Sequence, residues 1–400
     1  MTLSNPKQYY SRFLKGHEGK LHFAAHSHHF WPDVSRDGHM AYWDDCAAHS
    51  DDKWSKIFSE TIPKTQKHIA KILNLKDHEQ IVLAPNTHEL STRLLSLFLG
   101  KKDLKILTTT NEFHSWRRQF LRLSEIPEIK IEQVDSTQFP IDRTAFLNQM
   151  KSELSKNYDV VFLSQVFFDS GTALTDEEIK SLVDATPTTT LFVLDGYHGF
   201  AAIPCDLSKL EGRIFYLGGG YKYAQGGEGI GFMVVPKGNW RPAYTGWYAD
   251  QAHLSKTQSS QIAYADNGMA FMGATQDPSG FYRFNAVWDL FETLNIDVQG
   301  IHQYVLGLQK VFLKNLPKTL IQIWSLKPLF DQNLPWHGHF LTFEASSVEA
   351  AEKFQQTLIL NHIIIDRRGT RLRFGFGLYQ NEADVIELSS RLNKLASKTT

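Results

Sequence analysis

The chain has 400 residues, which suits one large domain plus a smaller one better than a single minimal core. Its formal net charge of −1 gives no electrostatic case for nucleic acid or an anionic membrane and points to a small-molecule substrate. Aromatic residues make up 12%, ample for a packed core and a ring-lined pocket. No apolar run approaches membrane-spanning length, and MTLSNPKQYYSRF lacks the apolar stretch of a signal peptide, so a cytoplasmic location is expected. Only Cys46 and Cys205 occur, far apart, leaving no disulfide framework and no thiolate metal site.

In chain order, residues 1–18 read as an arm packing on a small domain, 19–280 as a large domain and 281–400 as the small one. HFAAHSHHFWPD (22–33) carries His26, His28 and His29. A His-x-His after a short strand also begins many metal-dependent hydrolases, in which two imidazoles hold one ion. No second set of ligand spacing follows, so no metal is expected. In LAPNTHELSTRLLSLF (83–98), Asn86 can cap a helix with Glu89 at the capping-box position. Free amides at that helix start suit a phosphate, although an ordinary capped helix reads the same way. KILTTT (105–110) is a predicted strand, followed by NEFHSWRRQ, where Phe113 or His114 could stack on a flat ring or Phe113 could be core.

DVVFLSQV (159–166) is the next predicted strand, and Gln165 and Phe168 are expected to face one pocket beyond it. TDEEIKSLVDA predicts a helix capped by Thr175, with Glu178 completing the box. TLFVLD, RIFYLG and GIGFMVV (190–195, 213–218, 229–235) follow as strands. Nearly continuous apolar strands between amphipathic helices predict an α/β fold, a three-layer α/β/α arrangement with a mostly parallel sheet. From about residue 281, helical stretches and short strands such as FLTFEA and TRLRFGFG predict a smaller α+β domain.

Two residues carry the chemistry. Asp195 ends the strand LFVLD, and Lys222 follows Gly218–Gly220 and precedes Gly226, Gly227 and Gly229. Alone, the first reads as a turn residue and the second as a solvated amine. Together, an acid and a glycine-flanked amine leaving strand ends can meet over one ligand, where open parallel sheets bind theirs. Pyridoxal phosphate is the ligand best served. The amine forms a Schiff base with its aldehyde, and the acid keeps its pyridine nitrogen protonated.

DGYHGF followed by FYLGGGYKYAQGGEG resembles the kynureninase-like branch of the class V, fold-type I pyridoxal-phosphate enzymes. The resemblance implies that Lys222 is the Schiff-base lysine, Asp195 the pyridinium partner and His198 the group beside the cofactor's phenolic oxygen. It places Tyr221, Thr87 and His88 at the phosphate and Phe113 on the ring. His88 stands where relatives often carry threonine. Arg371 and Arg373 alternate along one strand face, and similar segments hold the substrate carboxylate at the position of Arg373, with Arg371 as the fallback. The N-terminal segment loops over the substrate in relatives, so His26 and His28 read as substrate contacts or equally as a structural loop; Gln165 and Phe168 would join them, although Phe167 and Phe168 could equally be core. Trp247 and Thr275 are implied to complete a neighbouring subunit's site, which predicts a homodimer with shared sites.

The implied reaction is hydrolytic Cβ–Cγ cleavage of kynurenine or a related aryl-keto amino acid, with Trp247, Tyr248 and Phe168 accepting the aryl ketone. Kynureninases proper usually carry an Asn-Gly/Ala-Gly-Pro type run after the lysine-tyrosine pair, whereas this chain has AQGGEG, with Glu228 near the cofactor. A class V aminotransferase or another lyase or epimerase uses the same first proton abstraction. A cysteine desulfurase would need a late-loop cysteine, and none follows Cys205. The more distant alternatives are a metal-dependent hydrolase built on His26 and His28, and a binding protein that kept the fold, which would not need Lys222.

Overall fold

The computed structural model describes residues 3, 5–253, 262–332, 334 and 336–399. A short strand β1 (Leu21–His22) precedes a seven-stranded sheet of β2 (Ile81–Ala84), β3 (Leu104–Thr109), β4 (Ile129–Val134), β5 (Val160–Ser164), β6 (Leu191–Asp195), β7 (Ile214–Gly219) and β8 (Gly231–Val234). Their order is β2-β8-β7-β6-β5-β3-β4. Strands β4, β3, β5, β6 and β7 run parallel, and β8 is antiparallel to both β7 and β2. The fold is thus the expected α/β type, with helices packed along a mostly parallel sheet.

Every residue of β5, β7 and β8 is buried, the pattern of strands covered on both faces. Strand β4 was not legible as a strand because IKIEQV sits at the sheet edge, where polar residues alternate outward and keep the edge from pairing further. The Thr175–Glu178 capping box is present in full at the helix Asp176–Asp184.

A second sheet holds β9 (Lys327–Pro328), β10 (Phe340–Glu344), β12 (Asp366–Arg368) and β13 (Arg371–Gly375) in antiparallel order β12-β13-β10-β9. Strand β11 (Ile363–Ile364) instead pairs in parallel with β1. This sheet has its own core, around Phe312, Phe343, Phe354, Leu372 and Phe374, which draws in Leu21 and Phe23 from the start of the chain.

The helix Ser279–Thr293, placed by the sequence pattern at the head of the small domain, buries Phe281, Phe284, Val287, Trp288 and Phe291 in the large core. It lies against the helix Val34–His49, where a Cβ on Gly38 would come within 2.6 Å of the Tyr282 carbonyl oxygen. The N-terminal arm touches both bodies. Lys7 pairs with Asp384 at 2.7 Å, while Tyr10 is buried in the large core and hydrogen-bonds Gln225.

Candidate active site

The parallel register of β5, β6 and β7 sets Ser164 beside Asp195 and Asp195 beside Leu217 at one edge of the sheet. Just past β6 the chain turns tightly, and the Tyr197 backbone N–H donates to Asp195 Oδ1 at 2.9 Å. Just past β7, Lys222 Nζ lies 2.6 Å from His198 Nε2, with the rings of Tyr197 and Phe113 centred 5.2 and 5.3 Å from it. Glycine permits this closeness. A Cβ on Gly219 would come within 2.7 Å of the Tyr197 ring, and Gly227, at φ +74°, lies where a Cβ would come within 2.7 Å of Trp31. These residues face a cavity of about 410 Å³.

Burial dominates the electrostatics. It pulls the Lys222 amine down to about 7, helped by the positive charge of Arg373 and resisted by Asp195 and Asp366. Burial raises Asp195, against the Tyr197 amide and the Lys222 charge that favour its anion. His198 is held well below the ordinary imidazole value by burial and then by Lys222, so it is neutral at pH 7. Behind this wall lies Glu112, 1% exposed, which accepts from Thr109 Oγ1 at 2.7 Å and from Ser164. Burial pushes Glu112 up to about 8.

At the opposite wall, the helix Thr87–Leu95 begins against the cavity. Asn86 Oδ1 accepts from the Glu89 N–H at 3.0 Å, an ordinary cap. The Glu89 side chain pairs with Arg93 at 2.7 Å, so it does not close the capping box. A Cβ on Gly231 of β8 would come within 2.6 Å of the Asn86 backbone, which shows how tightly the helix start is seated on the sheet.

Of the residues singled out in the sequence, Thr87, His88, Phe113, Phe168, Asp195, His198, Tyr221 and Lys222 line the cavity together. Gln165 does not. Ser164 and Val166 face the cavity, so the alternation of the extended chain turns Gln165 the other way, where its Oε1 accepts from Tyr216 at 3.1 Å. His26 is fully buried, stacked on Phe340 with centroids 4.4 Å apart. His28 meets Tyr221 at 3.3 Å instead of the cavity. These two imidazoles go to different partners, and no group of three or more His, Cys, Asp or Glu among the described residues is arranged to hold a metal.

Trp247 (50% exposed) and Thr275 lie on the surface, away from the cavity. Tyr248, expected to receive an aryl group, packs on Phe58 with centroids 4.8 Å apart. Both basic residues on the β13 face are already paired. Arg371 meets Asp169, and Arg373 donates to Asp366 and to the Phe168 carbonyl.

The sequence reading did not single out Ser164, Trp116 or Gln119 as cavity residues, although all three line it. Ser115 and Gln119 sit four apart on the helix His114–Leu123 and so share a face, a spacing that could have marked them. Asp366 had no local signal, because its position follows from pairing opposite Arg373 across the β12–β13 hairpin.

A model of the aminotransferase class-V family matches residues 42–388. No curated protein matches the chain. Among solved structures, the cystine C-S lyase C-DES, in complex with its reaction product cysteine persulfide, superposes with a TM-score of 0.79 at 17% identity over 95% of this chain and 98% of its own. A variant of C-DES with glycine covalently linked to the PLP cofactor gives 0.80 at 17%, covering 96% and 98%. A cysteine desulfurase from Thermococcus onnurineus NA1 gives 0.79 at 17% over the whole of both chains.

Proposed function

The chain belongs to the aminotransferase class-V family and is a pyridoxal-phosphate-dependent enzyme, and we propose that it cleaves a bond at the β-carbon of an amino acid, kynureninase-like in acting on an aryl-keto side chain. The observation that carries the reading is the cavity itself. It is lined by an amine held near neutrality, a buried acid, the start of the helix Thr87–Leu95 and the rings of Phe113, Trp116 and Phe168.

The residues present suit the cofactor. Lys222, 8% exposed, offers an amine whose pKa of about 7 leaves much of it unprotonated and nucleophilic at neutral pH. Thr87 and His88, at the first two positions of the helix Thr87–Leu95, present its positive end to a phosphate, with Tyr221 as a further donor. Phe113 offers a face for the ring. Bound pyridoxal phosphate supplies an electron sink for the pair left when a bond at the substrate α-carbon breaks.

The chain's own groups do the rest. Asp195 holds a proton at the pyridine nitrogen, and its buried setting strengthens that ion pair. Lys222, once exchanged for the substrate amine, takes the proton from the α-carbon, and neutral His198 at 2.6 Å orients Lys222 Nζ. Arg373 receives the substrate carboxylate. Phe168 and Trp116 offer an apolar wall to an aryl group, and water adds to the side-chain ketone, so that kynurenine plus water gives alanine plus anthranilate. Trp247 and Thr275, exposed and away from this cavity, serve a second subunit in a homodimer.

The test is incubation of the cofactor-loaded enzyme with kynurenine. Equimolar alanine and anthranilate support the reading. A keto acid with the cofactor left in its amine form makes the enzyme an aminotransferase instead. A second reading draws on the C-DES likeness: cleavage of a Cβ–S bond whose persulfide leaves with the product. It suits a chain whose Cys205 is buried with its thiol pKa pushed well up and whose other cysteine, Cys46, does not line the cavity. Pyruvate released from cystine distinguishes it.

A further inference from the structure

Arg373 does not line the cavity but packs behind it, against the lining residue Phe168. It is 2% exposed and lies between the rings of Phe168 and Phe340, with centroids 5.9 and 5.6 Å from its guanidinium carbon. One Nη donates to Asp366, the other to the Phe168 carbonyl, and Nε is buried without a partner. A buried guanidinium rarely leaves an N–H unmatched unless a ligand completes it.

Asp366 is not committed to Arg373 alone. It stands directly opposite Arg373 in the hairpin register, with Arg368 two residues along on the same face. Arg368 Nη1 lies 3.6 Å from Asp366 Oδ1, and His26 Nε2 lies 3.6 Å from Oδ2. Both His26 ring nitrogens are buried and unpaired by hydrogen bonds. The Arg368 side chain is 43% exposed and free to follow the carboxylate. One acid therefore has three ionisable partners, Arg373, Arg368 and His26, besides the Arg367 backbone N–H that donates to its Oδ1 at 2.7 Å, and Arg373 is the one a substrate carboxylate needs.

Resting on the assignment of Arg373 to the substrate carboxylate, we propose that Asp366 is the positioning residue that sets carboxylate specificity: it pairs with Arg373 until a carboxylate competes for it, then hands Arg373 over by re-pairing with Arg368 and His26. An entering carboxylate makes two parallel bonds to the released guanidinium, so that the two guanidiniums, Arg373 and Arg368, then face two carboxylates. The exchange also sets a threshold. A ligand without a carboxylate cannot displace Asp366, and a carboxylate gains only the difference between its own pairing and that of Asp366. Burial alone would raise the Asp366 carboxyl, but His26, Arg373 and Arg368 outweigh it and keep the group ionised throughout.

The probes are glycine and methylamine, which present the same amine to the cofactor and differ by the carboxylate. Their dissociation constants are measured calorimetrically on the cofactor-loaded protein. Asp366→Asn removes the competitor, so glycine binding tightens by about tenfold or more while methylamine is unchanged. The same substitution lowers the thermal midpoint without ligand, because Arg373 is left uncompensated, and glycine restores it. Arg368→Ala removes the fallback partner at a half-exposed position, and glycine weakens several-fold against methylamine.

If Asp366→Asn leaves the glycine-to-methylamine ratio unchanged while Arg373→Ala collapses it, the exchange is wrong and Arg373 still binds carboxylate. If Arg373→Ala also leaves the ratio unchanged, the assignment of Arg373 itself fails. Should Asp366→Asn not fold, an unchanged ratio in Arg368→Ala overturns the exchange by itself.

Discussion

The two cationic residues of the site are built on opposite plans. Lys222 follows a strand of the mostly parallel sheet and faces a cavity, with burial lowering its affinity for a proton to about 7, neutral His198 at 2.6 Å and the rings of Tyr197 and Phe113 beside it. Arg373 sits mid-strand in an antiparallel hairpin, enclosed by rings and paired with an acid directly across the register. The amine is lowered toward neutrality by burial, whereas the guanidinium is held by Asp366 and the Phe168 carbonyl with its Nε left unmatched. On the proposed reading, chemistry is prepared in the large sheet and selectivity is set in the small one.

That contrast can be broken at either end. The largest effect is expected from Lys222→Ala, which removes the only lysine among the described residues that line the cavity and abolishes the visible absorbance of the cofactor-lysine linkage. Peptide mapping after borohydride reduction of the native protein then finds the pyridoxyl group on Lys222. A label on another lysine overturns the assignment.

Asp195→Asn comes next. It keeps the shape but loses the charge that holds a proton on the pyridine nitrogen, so kcat falls by about two or more orders of magnitude while glycine binding changes little. An equal rise in KM would make Asp195 a binding group instead.

The pH dependence sharpens the comparison further. The rate at which cofactor-free protein takes up pyridoxal phosphate covalently rises with pH through about 7 as Lys222 loses its proton, toward a plateau above it. The groups facing that amine are His198, Asp195, Asp366, Arg368 and Arg373. Arg373→Ala removes a positive neighbour and moves the midpoint upward. A midpoint that stays near the ordinary lysine range in the native protein overturns the depressed value.

Glu112→Gln is the smallest expected effect, and it shows in stability. Its carboxyl is raised from 4.5 to about 8 in the fold, so the stability it contributes is full below its unfolded value and is lost as pH rises through about 8. The glutamine variant loses none, so relative to the native protein its stability gains steadily as pH rises from 4.5 to about 8, by on the order of a few kcal/mol at most. Parallel pH curves for the two proteins count against a protonated Glu112.

The Asp195 strand, the glycines around Lys222 and the cap at Asn86 were legible because each rests on local rules: apolar runs, φ freedom and side-chain capping. The edge strand β4 escaped because its polar alternation looks like solvent-facing chain until a neighbour pairs with it. Gln165 was misplaced by a single residue of alternation, since the reading chose Gln165 and the chain presents Ser164 and Val166. Arg373 was found as a cation on a strand face, but its pairing with Asp366 was not.

The sequence by itself determined the sheet's parallel strands, and that Asp195 and Lys222 follow strand ends and line one cavity. Those follow from patterns within a dozen residues. Only the tertiary structure decided which other side chains converge on the cavity, that Trp247 and Thr275 lie outside it, that burial lowers Lys222 toward neutrality, and that an acid seven residues before Arg373 claims it. Burial and register belong to the assembled chain: desolvation depends on everything packed around a group, and cross-strand pairing depends on a hairpin whose partners no local pattern names.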